Sequence, residues 1–106
     1  IRPATRGHSV VIPKKHFADW LDTPEAVLAE ISRVSKIVAK AAMKGLQADG
    51  FNIGVNTKKV AGQVVMHTHL HVLPRYLNDG LKMWPSLEID MKELKKIAGQ
   101  ISSVIK

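Results

Sequence analysis

Hydrophobic and polar positions alternate most regularly in the stretch that ends at Val72. Val64, Met66, Thr68, Leu70 and Val72 fall on one parity, and His67, His69 and His71 fall on the other. Side chains of a strand point to opposite faces in turn, so the pattern predicts a strand with three imidazoles on one face and a core-facing side behind them. A helix, turning about 100° per residue, would set His69 nearly opposite His67 and His71 and scatter the apolar positions around the cylinder. The period-two reading is therefore kept. At a rise of about 3.3 Å per residue the outer two rings start about 13 Å apart, a span that suits an extended substrate better than one ion.

The same reasoning sets out the rest of the chain. His8 to Pro13 reads as a short apolar strand closed by a proline. Asp22 or Thr23 as N-cap, Pro24 in the first turn and Glu25 at the positive end of the dipole open a helix. That helix carries Val27, Leu28, Ile31, Val34, Val38, Ala41 and Ala42 on a packing stripe, and Glu30, Arg33, Lys36, Lys40 and Lys44 on the other face. Gly50 is a candidate terminator. Phe51 to Asn56 alternates as a second strand, and the short connection Thr57 to Gly62 implies an antiparallel pair with the histidine strand. Beyond Pro74, Asn78-Asp79-Gly80 marks a turn within a loop. A last helix is expected from about Ile89 to the end, with Met91, Leu94, Ile97, Ile101 and Val104 on one side. The sum is one α+β domain over 1–106, an antiparallel β-meander with a long packing helix and a C-terminal helix.

Composition narrows the function classes. A chain of 106 residues, 45% hydrophobic and 24% charged, is the size of one globular domain. There is no cysteine, which excludes disulfides and thiol catalysis within these residues and fits a cytoplasmic location. No apolar run is long enough to read as a membrane span. The formal charge of +7 raises the question of nucleic acid. The Lys and Arg residues are dispersed, however, and only 5% of residues are aromatic, so solvated helix faces explain the charge better than a nucleic-acid surface. A basic surface still attracts small anions.

Three chemistries compete for the histidines. Structural histidines bonded to backbone or solvent are the plainest reading, but strict alternation of three in an otherwise apolar strand is poorly explained by it. A metal site is the second, yet adjacent same-face side chains point roughly parallel, and within ten residues the only acid is Asp79. The third is phosphoryl chemistry. A neutral imidazole, with a pKa of about 6.5, is a good nucleophile toward phosphorus at pH 7, and its neighbours can hydrogen-bond the non-bridging oxygens.

His67-Thr68-His69-Leu70-His71-Val72-Leu73 resembles the His-φ-His-φ-His-φ-φ signature, with φ apolar, of the histidine triad superfamily of nucleotide hydrolases and transferases. Gly7-His8-Ser9-Val10-Val11-Ile12-Pro13-Lys14-Lys15-His16 is similar to that family's Gly-His-x-φ-φ-Ile-Pro-Lys-x-His strand. Asn56, followed by Gly62-Gln63, is similar to its approach to the triad, and Pro74, Arg75 and Tyr76 continue the likeness.

This resemblance implies a mechanism. His69 would attack an α-phosphorus and form a nucleotidyl-histidine, which water then resolves. His71 and Gln63 would bind and polarise phosphate oxygens, and His67 would fix ring positions with His8. Asn56 would meet ribose or phosphate, and Ile1 would line the nucleotide pocket. With histidine as the third triad member, the chain resembles the hydrolase branches, whose substrates are adenosine phosphoramidates, adenylates and dinucleoside polyphosphates. A nucleotide-binding regulator with little turnover is the alternative inside the family, and a metal-dependent histidine-site enzyme the alternative outside it. The resemblance further implies a homodimer and an early strand and helix upstream of Ile1. It implies no cofactor for catalysis. Some members hold a structural zinc through an upstream Cys-x-x-Cys pair and the histidines that match His16 and His67. Two departures stand out: Val64 where many relatives have Ser or Thr, and Lys58 where glycine is usual.

Overall fold

The computed structural model describes residues 2–106. Three strands form one antiparallel sheet: β1 (Ser9–Val11), β2 (Gly50–Gly54) and β3 (Leu70–Arg75), in the order β1-β3-β2. β2 and β3 follow one another as the meander predicts. β1 joins the far side of β3, so the histidine strand is central and both of its edges are paired.

Helix α1 (Glu25–Gly45) covers one face of the sheet. Val11, Leu70 and Val72 from the sheet meet Ile31 and Ala39 from α1 in the buried core, with Trp20, Val27, Val34, Val38 and Val55 packed around them. The buried stripe of α1 is Ile31, Ser35, Ala39 and Ala42. Ser35 is tolerated there because its hydroxyl donates to the Ile31 carbonyl at 2.7 Å. Ala41, expected on that stripe, is exposed one position round the cylinder. The helix start also differs from expectation. Pro24 occupies the cap position and no side chain caps the helix, because the Thr23 hydroxyl is bonded elsewhere. The end comes at Gly45, and Gly50 opens β2 instead of terminating α1.

β3 is shorter than its alternation suggests. Parity holds from His67 to Arg75, with Thr68, Leu70, Val72 and Pro74 buried and the odd-numbered residues half-buried on the other face. Val64 and Met66, expected to continue the core side, are instead exposed in a loop, Val64 at 88%. That loop contains a 3-10 turn, Lys59–Ala61, and its bonds run within the loop's own backbone and to the Gln63 side chain rather than to a neighbouring strand. After β3 the chain runs without regular structure to α2 (Met91–Ser102), which is capped by the Asp90 carboxylate accepting from the Glu93 amide at 2.8 Å. α2 packs on no other described element, so its apolar stripe, expected to pack, is exposed but for a half-buried Ile97.

Candidate active site

The sheet face opposite α1 carries His71, Leu73 and Arg75 of β3, with Asn52 and Gly54 of β2 paired beside them. His8 reaches this face from the residue before β1. Its approach depends on Gly7, whose φ is +86° and whose hydrogen faces Leu46 and Pro74 so closely that a β-carbon would collide with them. His8, Asn52, Asn56, His71, Arg75 and Trp84 are among the residues that line a cavity of about 550 Å³ on this face.

Ring contacts divide the histidines into two groups. His69 and His71 meet edge to face, with centroids 4.9 Å apart, and His71 meets His8 at 5.1 Å. His67 turns away and stacks on His16, also at 5.1 Å. The expected partnership of His67 with His8 is therefore replaced by two separate ones, His67 with His16 and His71 with His8.

Hydrogen bonds fix the state of each ring. His69 Nδ1 lies 2.6 Å from the His67 carbonyl oxygen, which can only accept, so Nδ1 carries the hydrogen and in the neutral ring Nε2 keeps its lone pair. His8 Nδ1 accepts from the Ala4 amide at 3.0 Å, so neutral His8 has its hydrogen on Nε2. That hydrogen points at His71 Nδ1, 2.9 Å away, and leaves neutral His71 with N–H at Nε2. One backbone amide thus sets the orientation of two imidazoles in series. Burial lowers the His71 pKa from 6.5, reinforced by the charges of His69 and His8 when these are protonated, so His71 is neutral at pH 7. A lone pair and an N–H donor consequently sit side by side. His67 Nε2 donates to the Pro13 carbonyl at 3.0 Å, which leaves its Nδ1 lone pair facing His16 Nδ1, also at 3.0 Å.

Gln63 departs from its expected role. It is 2% exposed. Its Nε2 donates to the Ala18 and Val65 carbonyls, and its Oε1 accepts from the Lys58 amide. A side chain with these commitments braces the loop before the triad and has no hydrogen left for a phosphate oxygen. Asn56 lines the cavity and reaches the Gly62 carbonyl at 3.5 Å. Ile1 lies outside the described residues.

Sequence reasoning met Asp79 only in a turn and as the one acid near the histidines, and gave it no partner. Its carboxylate clamps Arg75, with Nε to Oδ2 at 2.7 Å and Nη2 to Oδ1 at 3.1 Å, while Arg75 Nη1 donates to Asn52 at 2.8 Å. The guanidinium, with the Tyr76 and Leu81 amides, holds the Asp79 carboxyl well below the usual carboxylate range. This clamp carries the loop with Leu81 and Trp84 to the cavity rim. A hint existed in the sequence, since arginine four residues before aspartate across a turn is a ready ion pair. Its link to Asn52 depends on strand register and could not be read.

Among known families, the HIT domain matches residues 1–78. An Arabidopsis thaliana protein named adenylylsulfatase HINT3 is 36% identical over 104 residues, which cover 98% of this chain and 53% of that protein. A Schizosaccharomyces pombe protein named adenosine 5'-monophosphoramidase hnt1 is 35% identical over 108 residues, covering 100% of this chain and 78% of that one. This chain therefore spans about half the length of the plant relative. The crystal structure of a zinc-bound histidine triad family protein from Mycobacterium smegmatis superposes with a TM-score of 0.73 at 43% identity, covering 99% of this chain and 78% of that one.

Proposed function

The chain belongs to the HIT domain family, and from that premise we propose that it cleaves a nucleotide conjugate at the α-phosphorus through a nucleotidyl-His69 intermediate. The observation that carries this reading is the 2.6 Å bond from His69 Nδ1 to the His67 carbonyl, which leaves Nε2 of the neutral ring with its lone pair, next to His71. In the first step the Nε2 lone pair forms a bond to phosphorus while the bond to the leaving group breaks, and the leaving atom departs with that electron pair and takes up a proton. As positive charge grows on the ring, the accepting carbonyl at Nδ1 stabilises it. His71 donates from Nε2 to a non-bridging oxygen, where charge develops in the transition state. Water then attacks phosphorus and gives up a proton to solvent, while the P–N bond breaks and its electron pair returns to His69 Nε2.

The adenylylsulfatase and phosphoramidase names of two relatives support an adenylyl group on the retained side of the bond. The cavity beside His71 is large enough for a nucleoside. We also propose that His16 and His67 are half of a structural zinc site. Two imidazole nitrogens on one tetrahedral zinc lie about 3.3 Å apart, and these two Nδ1 atoms are 3.0 Å apart with the His67 lone pair between the rings. Among the described residues no third ligand joins them, so the remaining ligands would come from elsewhere in the whole protein. A homodimer belongs to the same proposal, because the exposed stripe of α2 and the open edge of β2 are surfaces a second copy would cover.

The test compares full-length wild type with His69→Ala on an adenosine phosphoramidate and a diadenosine polyphosphate, with EDTA present. AMP release should survive EDTA and fall about a thousandfold or more in the variant. Release that is unaffected by His69→Ala overturns the mechanism, and release from neither substrate leaves a binding role.

A further inference from the structure

His67 and His69 lie before the point where β3 joins the sheet at Leu70, so strand pairing does not hold their backbone. What holds it is a group of buried polar residues. Thr68 is 1% exposed, and Asp19, Thr23 and Gln63 are buried with it. A buried hydroxyl is costly unless bonded, and an apolar residue, as in the signature, would fill the same space without that requirement.

Every bond of the group can be assigned a direction. The Thr23 hydroxyl donates to the Asp19 carbonyl at 2.7 Å, since a carbonyl has no hydrogen to give. The Thr68 hydroxyl, 2.7 Å from Thr23 Oγ1, therefore supplies the hydrogen of that contact, with the Phe17 carbonyl as a second acceptor at 3.2 Å. The Thr68 amide donates to the same Phe17 carbonyl at 2.7 Å. That amide and the His67 carbonyl belong to one rigid peptide unit. One end of the unit is tied to Phe17, and the other end holds the hydrogen of His69 Nδ1.

The frame continues outward. Asp19 Oδ1 accepts from the Asp22 amide, and Oδ2 is 2.6 Å from Lys58 Nζ. Lys58 has φ +74° and ψ 156°, a conformation suited to glycine, and such a residue persists only where its surroundings over-determine it. Its amide and Gln63 complete the brace.

We propose that Thr68 and Thr23 are positioning residues for His69. Their hydroxyl chain to Asp19 holds the His67–Thr68 peptide at the tilt that keeps the imidazole hydrogen on Nδ1 and leaves Nε2 free. The reading of His69 as nucleophile underlies this inference, but the ring's hydrogen can be observed without turnover.

The experiment uses the full chain as wild type, Thr68→Val, Thr68→Ser, Thr23→Val and the double valine variant. Nitrogen-15 NMR of histidine-labelled protein reports which ring nitrogen of His69 is protonated, and kcat and KM are measured on an adenosine phosphoramidate. In Thr68→Val part of the His69 population should move to the Nε2–H form, with kcat down about 10- to 100-fold and KM changed by less than about twofold. Thr68→Ser should restore both readouts, and the double variant should be no worse than the poorer single, as expected for residues acting as one unit. A wild-type His69 tautomer with kcat within about twofold of wild type in Thr68→Val overturns the proposal, as does a loss that serine fails to rescue. If Thr68→Val does not fold, Thr23→Val decides by the same two readouts. Activity that survives His69→Ala would defeat the proposed mechanism, while the NMR result would still decide the positioning role.

Discussion

His69 and His71 stand two residues apart on one face, yet their hydrogen bonds leave a lone pair on one and a donor on the other. This asymmetry has a pH consequence. For His71 the fold favours the neutral form, so the folded state takes up its proton at lower pH than the unfolded chain does. The resulting cost to stability is absent above the ordinary value of 6.5, grows as pH falls below it, and is complete below the depressed folded value. His71 should therefore titrate below 6.5 by proton NMR, and His8→Ala, which removes one of the charges acting on it and its hydrogen-bond donor, should move that titration. Gly7→Ala should destabilise the fold by about 1–3 kcal/mol in urea unfolding, because a methyl at positive φ is strained and here also strikes Leu46 and Pro74. Alternation along the chain correctly gave the sequence of buried and half-buried positions from His67 to Arg75. It could not give the histidine rotamers, because Pro13 and His16, which turn His67 away, come from a distant part of the chain.

Among the elements, α1 and the paired strands were the most legible, since a run of amphipathic turns and a run of alternation each match one period. The boundaries were less so. Val64 and Met66 continue the alternation of β3 on paper, but the 3-10 turn and the Gln63 brace bend the chain before it can pair. Substitutions should respect that boundary. Val72 is fully buried against α1, so Val72→Ala should cost about 2–3 kcal/mol by chemical denaturation. Val64→Thr, in the exposed loop, should change stability by less than about 0.5 kcal/mol. The helical period of α2 was also legible, but the sequence pattern of an amphipathic helix gives its stripe and not the surface that stripe meets. Thr23 shows the same limit in one residue: it has the chemistry of a cap, and the tertiary fold uses its hydroxyl to reach Thr68.

At the scale of the whole molecule, the sheet separates two tasks. α1 and the core lie on one side, and His8, His71 and the cavity lie on the other. The dispersed positive charge fits solvated helix faces, as Glu30, Arg33, Lys36 and Lys40 of α1 are all exposed. The alternation made the buried side of β3 readable from sequence, whereas the buried polar frame before it was hidden because it joins two pairs, Asp19 with Thr23 and Gln63 with Thr68, that lie far apart along the chain. Between His67 and Arg75 the two tasks are interleaved residue by residue, so their assignment depends on counting. Insertion or deletion of one residue there would exchange the two sets, turning imidazoles into the core and Leu70 and Val72 toward the cavity. A scan of single-residue insertions and deletions across 67–74 should find almost none that yield soluble protein, whereas point substitutions at the odd positions should often leave solubility intact while changing activity. Evolution can therefore revise this strand by substitution, while changes in its length are closed to it.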